Sequence, residues 1–225
     1  MAKKKKLSEE EIKIKQAEKQ KKEQEKQLKY ILIIIGVIFA AFLITYFIMQ
    51  STKGFEYGGA QFSKTKQGAI DLYLAKFPIK DADGKIVSSL PFYFREDPRS
   101  LRNIKINGEI QLKRSVALTT DNGLIDERCE DIVLAETSLA VFIRLIGANP
   151  FPASLNATEA SRDNVTLVSC SNTKDDTVII FKSGNESSIT KNKDCYTISV
   201  ADCDIMNATE RFMMGWYANS NGIEI

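Results

Sequence analysis

The sequence predicts an α/β protein in two parts: an N-terminal polar helix continuous with one transmembrane helix, then an extracytoplasmic mixed-sheet α/β sandwich domain with two main helices. Three observations carry this. Residues 31–49 form an uncharged apolar run behind a lysine-rich leader. All four cysteines lie beyond that run. Past residue 67, short β-branched and aromatic segments alternate with two stretches whose apolar residues recur at helical spacing.

Charge divides the chain in the same way. Residues 1–29 carry 11 Lys and 6 Glu, a net of +5, while the rest carries 20 Lys and Arg against 23 Asp and Glu, a net of −3. The expected organisation is a basic cytoplasmic helix over 1–29, a transmembrane helix over 30–50, a juxtamembrane linker over 51–66 and a disulfide-stapled extracytoplasmic domain over 67–225.

In the leader, Ser8 and Glu11 form a capping box, and Glu11–Lys15 and Glu18–Lys22 are ion pairs one helical turn apart. No sustained heptad repeat is present, which argues against a coiled coil. The leader reads as a solvated helix that enforces topology. A sharper reading has Lys3, Lys4, Lys5 and Lys6 with the basic face contacting anionic lipid or ribosomal RNA.

The apolar run covers about 28 Å as a helix, close to the hydrocarbon thickness of a bilayer. Tyr30 and the Tyr46–Phe47 pair stand near its ends, where aromatic rings favour the headgroup region. Leader and run are both too long for a cleaved secretory signal, and "IMQST" puts bulky residues where cleavage needs small ones. A retained anchor is expected, with the lipid bilayer as its partner. Lys15, Lys19, Lys21, Lys22, Lys26 and Lys29 precede the span, against Lys53, Lys64 and Lys66 after it. The N-terminus is therefore expected in the cytoplasm and the C-terminal domain outside the cell.

Residues 54–66 read as a Gly-rich exit from the membrane with a short edge strand. "IDLYLAKFPI" and "SSLPFYF" read as strands flanking a turn at Asp83-Gly84. That turn has two acidic positions of a calcium loop but lacks the twelfth-position ligand, so no metal is expected. Around Pro98, the group Arg95, Asp97, Arg99 and Arg102 reads as a structural clasp or an anion-binding lip. "RSVALTT" is a strand followed by a "DNG" turn. Ile132, Ala135, Leu139, Phe142 (or Ile143) and Ile146 then mark a helix. "NVTLVSC" reads as a buried strand ending at Cys170, and "DTVIIFK" and "CYTISV" as further strands with a polar loop between them. Ile205, Ala208, Phe212 and Trp216 give the final helix a core-facing stripe.

An even number of cysteines confined to the exterior fits an oxidising compartment, and sequence alone permits three pairings. In a strand–helix–strand crossover, the helix start and the end of the next parallel strand share one side of the sheet. This favours Cys129–Cys170, leaving Cys195–Cys203. N-glycosylation sequons fall at Asn156, Asn164, Asn185 and Asn207. Asn207 also suits a helix cap with Glu210 three residues on, which competes with a glycan for its amide.

The stretches "FREDPR" (94–99), "CED" opening a helix (129–131), "TVIIFKSGNESSI" (177–189), "CYTISVADC" (195–203) and "ATERF" (208–212) together resemble a family of uncharacterised single-pass membrane proteins from small-genome archaea. The resemblance covers the latter two-thirds of the exterior domain. It implies an archaeal envelope setting in which glycosylated ectodomains are ordinary, and it implies no activity.

Histidine is absent, which removes Ser–His–Asp and Cys–His nucleophilic systems and the commonest transition-metal ligand. No two cysteines are closer than eight positions, so no CxxC-type metal site exists, and no cofactor is expected. The favoured function is a non-enzymatic, membrane-anchored binding or structural protein of the cell envelope, with an envelope or membrane protein as partner. The competing readings are an extracytoplasmic carboxylate-dependent hydrolase and a working role for the basic helix. The hydrolase would use Glu96 and Asp97 with Arg95 and Arg99, or Glu130 and Asp131.

Overall fold

A computed structural model describes residues 9–51, 54–80, 85–127, 129–171, 175–223 and 225. The expectations on Lys3–Lys6, on Ser8 and on the turn at 81–84 lie outside the described residues. The chain forms two compact units, Met1–Lys53 and Gly54–Ile225.

The described residues of the first unit form one helix, α1 (Glu9–Ser51). Within it, Lys21–Phe47 is long and apolar enough to cross a membrane. From Ile31 to Phe47 its large apolar side chains are exposed on every face, so nothing in the described chain buries them. Thr45 returns its hydroxyl proton to the Ala41 carbonyl at 2.8 Å, which satisfies the run's one hydroxyl outside the tyrosines within the helix itself.

The second unit is mixed α/β with two sheets. The first is an antiparallel meander of β1 (Phe55–Tyr57), β2 (Ala60–Gln67), β3 (Ile70–Lys80) and β4 (Ile86–Phe94). Gly58 and Gly59, at φ of 57° and 80°, make the tight turn between β1 and β2. Residues 55–66, expected as linker, are therefore largely strand, and the folded unit starts at Gly54. Alternation brings Phe62, Ala75, Phe77, Phe92 and Phe94 to one face.

The second sheet holds β5 (Lys105–Asn107), β6 (Ser115–Thr120), β7 (Asn149–Ser154), β8 (Thr166–Leu167), β9 (Thr177–Ser183), β10 (Ser188–Asn192) and β11 (Cys195–Val200). Their order is β5-β10-β11-β9-β6-β7-β8, and every pair is parallel except the β10–β11 hairpin. The helices are α2 (Asn122–Asp126), α3 (Ile132–Leu145), α4 (Ala157–Asp163) and α5 (Ile205–Ser220). The "DNG" expected as a turn instead opens α2, with Asp121 capping the Gly123 N–H at 2.9 Å.

The expected crossover exists, but its second strand differs. α3 connects β6 to its parallel neighbour β7, not to residues 164–170. In "NVTLVSC" only the exposed pair Thr166–Leu167 is strand. Sequence reasoning missed β7 because "NPFPAS" carries two prolines. Asn149 donates its N–H to Arg114 of the β6 side at 2.7 Å, so strand alternation points Pro150 and Pro152 to the opposite edge, where no ladder donor is needed.

α3 and α5 pack together on one face of the seven-stranded sheet, over Val116, Leu118, Ile179, Phe181, Tyr196 and Ile198. The helix pair also meets the meander. Phe142 of α3 lies 5.8 Å from Phe77 and 5.7 Å from Phe92 ring to ring, and Tyr217 of α5 lies 4.5 Å from Phe77. The sheet's other face buries a smaller cluster, Ala117, Val178, Ile180 and Cys195 with Val168, and Phe151 of β7 packs beside it.

Candidate functional site

Four of the segments named in the resemblance converge on one corner, where β4 hands over to the loop before β5. The carboxylate of Glu210, 1% exposed within α5, accepts the N–H of Arg95 at 2.6 Å and of Glu96 at 3.3 Å. Burial pushes this carboxyl up to about 8, against the pull of those two donors. Arg95 reaches across to Asp131 at the start of α3, at 3.3 Å. Its neighbour in α5, Arg211, is also buried and donates to Ile104 O, the Tyr57 hydroxyl and Ile225 O, with burial drawing its pKa down.

Of the four residues read as a clasp or an anion-binding lip, Asp97 and Arg99 pair, while Arg95 turns to Asp131 and Arg102 to Tyr57. Asp97 takes the Arg99 guanidinium in a bidentate pair at 2.5 and 2.9 Å, which holds its carboxyl below the usual range. Arg99 then covers the Phe55 ring and Arg102 lies over Tyr57. The true clasp is Glu210, which sequence reasoning treated as a capping residue. Its signal was the density of apolar residues around it. A helix buried on all sides from Ala208 to Gly215 can hold a carboxyl group only where partners await it.

Both expected disulfide pairings are corrected. The bonds are Cys129–Cys203 and Cys170–Cys195, with Cα separations of 5.2 and 5.3 Å. Cys195 opens β11 and Cys203 follows its end. Five strand steps from Cys195 to Val200 cover about 17 Å, whereas a disulfide needs Cα atoms within about 7 Å. Cys129 and Cys203 instead precede the adjacent helices α3 and α5, and join them. Cys195 lies on the sheet's second face, where Cys170 pins the covering segment to it. Because both sulfurs are already bonded, the cluster of Glu127 with Cys129 and Cys203 offers no thiolate to a metal.

The sequons divide. Asn185 is exposed, and Asn164 is exposed in the left-handed conformation that ends α4. Asn156 is the capping asparagine, accepting the Thr158 N–H at 2.8 Å. Asn207 does not cap; α5 starts at Ile205, and Thr209 of that sequon is 0% exposed and bonded to Ile205 O.

Sequence reasoning also missed a polar crevice at the carboxyl ends of the parallel strands. Each of three neighbouring strands ends in a hydroxyl bonded to a glutamate: Thr120 to Glu136, Ser154 to Glu159 and Ser183 to Glu127. Above β6 and β7 lies a cavity of about 470 Å³ lined by Thr119, Thr120, Asn122, Glu136, Ser154 and Glu159. A second cavity, of about 300 Å³, lies between the meander and the helix pair, lined by Phe77, Phe142 and Trp216. Its polar residues Ser220 and Asn221 donate to carbonyls of their own helix.

Comparison with protein-family models, curated proteins and solved structures finds no match for this chain.

Proposed function

We propose that this chain is a single-pass, membrane-anchored binding protein of the cell envelope, N-terminus in the cytoplasm and α/β sandwich outside. One observation carries the reading: a long apolar helix with no burial partner precedes a unit whose four cysteines are all paired. Leaving such a helix in water is costly, and structural disulfides persist in oxidising compartments. The lysine excess ahead of the span supports the orientation. The resemblance to archaeal single-pass proteins and the exposed sequons at Asn164 and Asn185 support an envelope setting with a glycosylated surface.

Of the carboxylates named for the hydrolase reading, Asp97 pairs with Arg99 and Asp131 with Arg95. The expected partner is a second envelope or membrane protein. Alkaline carbonate extraction of native membranes tests the anchor. The full-length chain is expected in the pellet, together with a mass that includes residues 30–50. Release into the supernatant, or a mature N-terminus after Gln50, contradicts the anchor. Purification in mild detergent tests the partner, which is expected to co-elute in fixed proportion.

A further inference from the structure

We propose that the outer face of α3 is a self-association surface, occupied by α3 of a second copy of this chain packed antiparallel about a two-fold axis through Thr137. The first ground is an apolar face that the fold leaves uncovered. A helix packed on a domain by one side ordinarily keeps polar and charged residues on the other. α3 buries Ala135, Leu139, Phe142 and Ile143, yet its opposite side shows Val133, Leu134, Val141 and Leu145 at 73, 38, 42 and 44% exposure. Arg144 is the one charged residue among the exposed positions of this helix. Leu145 carries the apolar surface onward, because it shares the cavity of about 300 Å³ with Leu90 and Trp216. Contiguous apolar surface of this kind marks contact with another molecule.

The second ground is the symmetry of the face. Glu130, Leu134, Thr137, Val141 and Arg144 follow at steps of four, three, four and three, the spacing with which one helix seats on another. This series has the same steps in both directions from Thr137. A two-fold axis there sets each residue ahead of Thr137 against the residue equally far behind it in the second copy. Val133 then meets Val141, Leu134 meets the smaller Ala140, and Thr137 meets its own counterpart where the helices cross.

Charge selects a second copy as the occupant and fixes its direction. Glu130 is exposed in the turn that leads into α3, and Arg144 is exposed in its last turn. Neither makes an ion pair or a side-chain hydrogen bond among the described residues. They stand seven positions before and seven after Thr137, so the antiparallel pair brings each Glu130 carboxylate opposite the Arg144 guanidinium of the second copy. A parallel pair would set like charge against like. The face lies wholly within the Gly54–Ile225 unit, so the inference does not depend on how the chain is anchored.

The test uses the full-length protein. With Thr137→Cys in native membranes, diamide oxidation is expected to give a species of twice the chain mass, linked through position 137 of both copies. Leu167→Cys, exposed on β8 at the sheet edge, is expected to give none. In mild detergent the wild type is expected to sediment as a dimer, a measurement that needs no variant to fold. Glu130→Arg and Arg144→Glu each replace two attractions by two like-charge contacts, and are each expected to weaken the dimer roughly tenfold. The two substitutions together are expected to restore it, with circular dichroism unchanged throughout. A monomeric wild type, a link from position 137 to a different polypeptide, equal linking from position 167, or a double reversal that fails to restore the dimer overturns the proposal. So does a dimer indifferent to the charges at 130 and 144, as one held by α1 alone would be.

Discussion

The backbone N–H of Arg95 donates to Glu210 Oε1 at 2.6 Å, joining residues 115 positions apart. Through this bond α5, which rests on the seven-stranded sheet, holds the loop that leaves the four-stranded meander. Glu210→Ala leaves the N–H groups of Arg95 and Glu96 without their acceptor, a loss of about 2–4 kcal/mol. Trp216, the single tryptophan, sits in the same helix and reports unfolding by fluorescence.

The same carboxyl makes stability pH-dependent. Its folded value is raised to about 8, while the unfolded chain returns it to the ordinary range near 4.5. Between those values the folded form holds a proton that the unfolded form has released. Stability is therefore greatest at the acid end of the window and falls as pH rises toward 8, by at most about 1.4 kcal/mol per pH unit. Asp97, whose value is depressed, acts in the opposite sense and only in acid, below its ordinary range. Urea melts at pH 5, 6.5 and 8 are expected to show the decline in the wild type and its absence in Glu210→Gln. A wild type equally stable at all three contradicts it.

Peptide mapping without reduction should return Cys129 with Cys203 and Cys170 with Cys195. The loops closed span 74 and 25 positions, worth about 4.4 and 3.5 kcal/mol in the loop-entropy model. Loss of Cys129–Cys203 by paired serine substitution is therefore the more damaging change. A Cys195–Cys203 peptide would contradict both bonds.

Gly215 lies where α5 meets β5. A Cβ there would stand 2.6 Å from Ile106 Cδ1 and 2.9 Å from Ile110 Cδ1. Gly215→Ala gains helix propensity but overpacks, for a net loss of about 1–2 kcal/mol. Adding Ile106→Val removes one clashing methyl, and thermal melts should show part of the loss restored.

In a glycosylating host, Asn185→Gln and Asn164→Gln are each expected to increase gel mobility. Asn207→Gln is expected to leave it unchanged, because Thr209 of that sequon is buried inside α5. A glycan recovered at Asn207 from folded protein contradicts the placement of the helix.

Much of the fold was legible because its elements obey their periods. The apolar stripe of α3, the alternation in β3 and the continuous run of β9 all read directly from residue spacing. What stayed hidden had local reasons. Two prolines disguised β7, and β10 shows a single inward apolar residue, Ile189, among polar ones. The disulfides were misassigned because residue spacing does not show which loop ends meet in space. "CYTISV" read as a strand already sets Cys195 and Val200 about 17 Å apart, so the Cys195–Cys203 pair would need residues 201–203 to fold straight back along the strand. The crevice was invisible because its glutamates come from α3 and α4, and only the order of parallel strands brings them together.

Membrane placement is the premise for the compartment, the disulfides and the glycans, and protease shaving of intact cells addresses it most directly. With an epitope before Lys15 and another after Ser220, the C-terminal epitope is expected to vanish while the N-terminal one survives until the cells are lysed. A C-terminal epitope protected in intact cells and cleaved only after lysis would place the α/β unit in the cytoplasm, and contradict an anchored exterior domain.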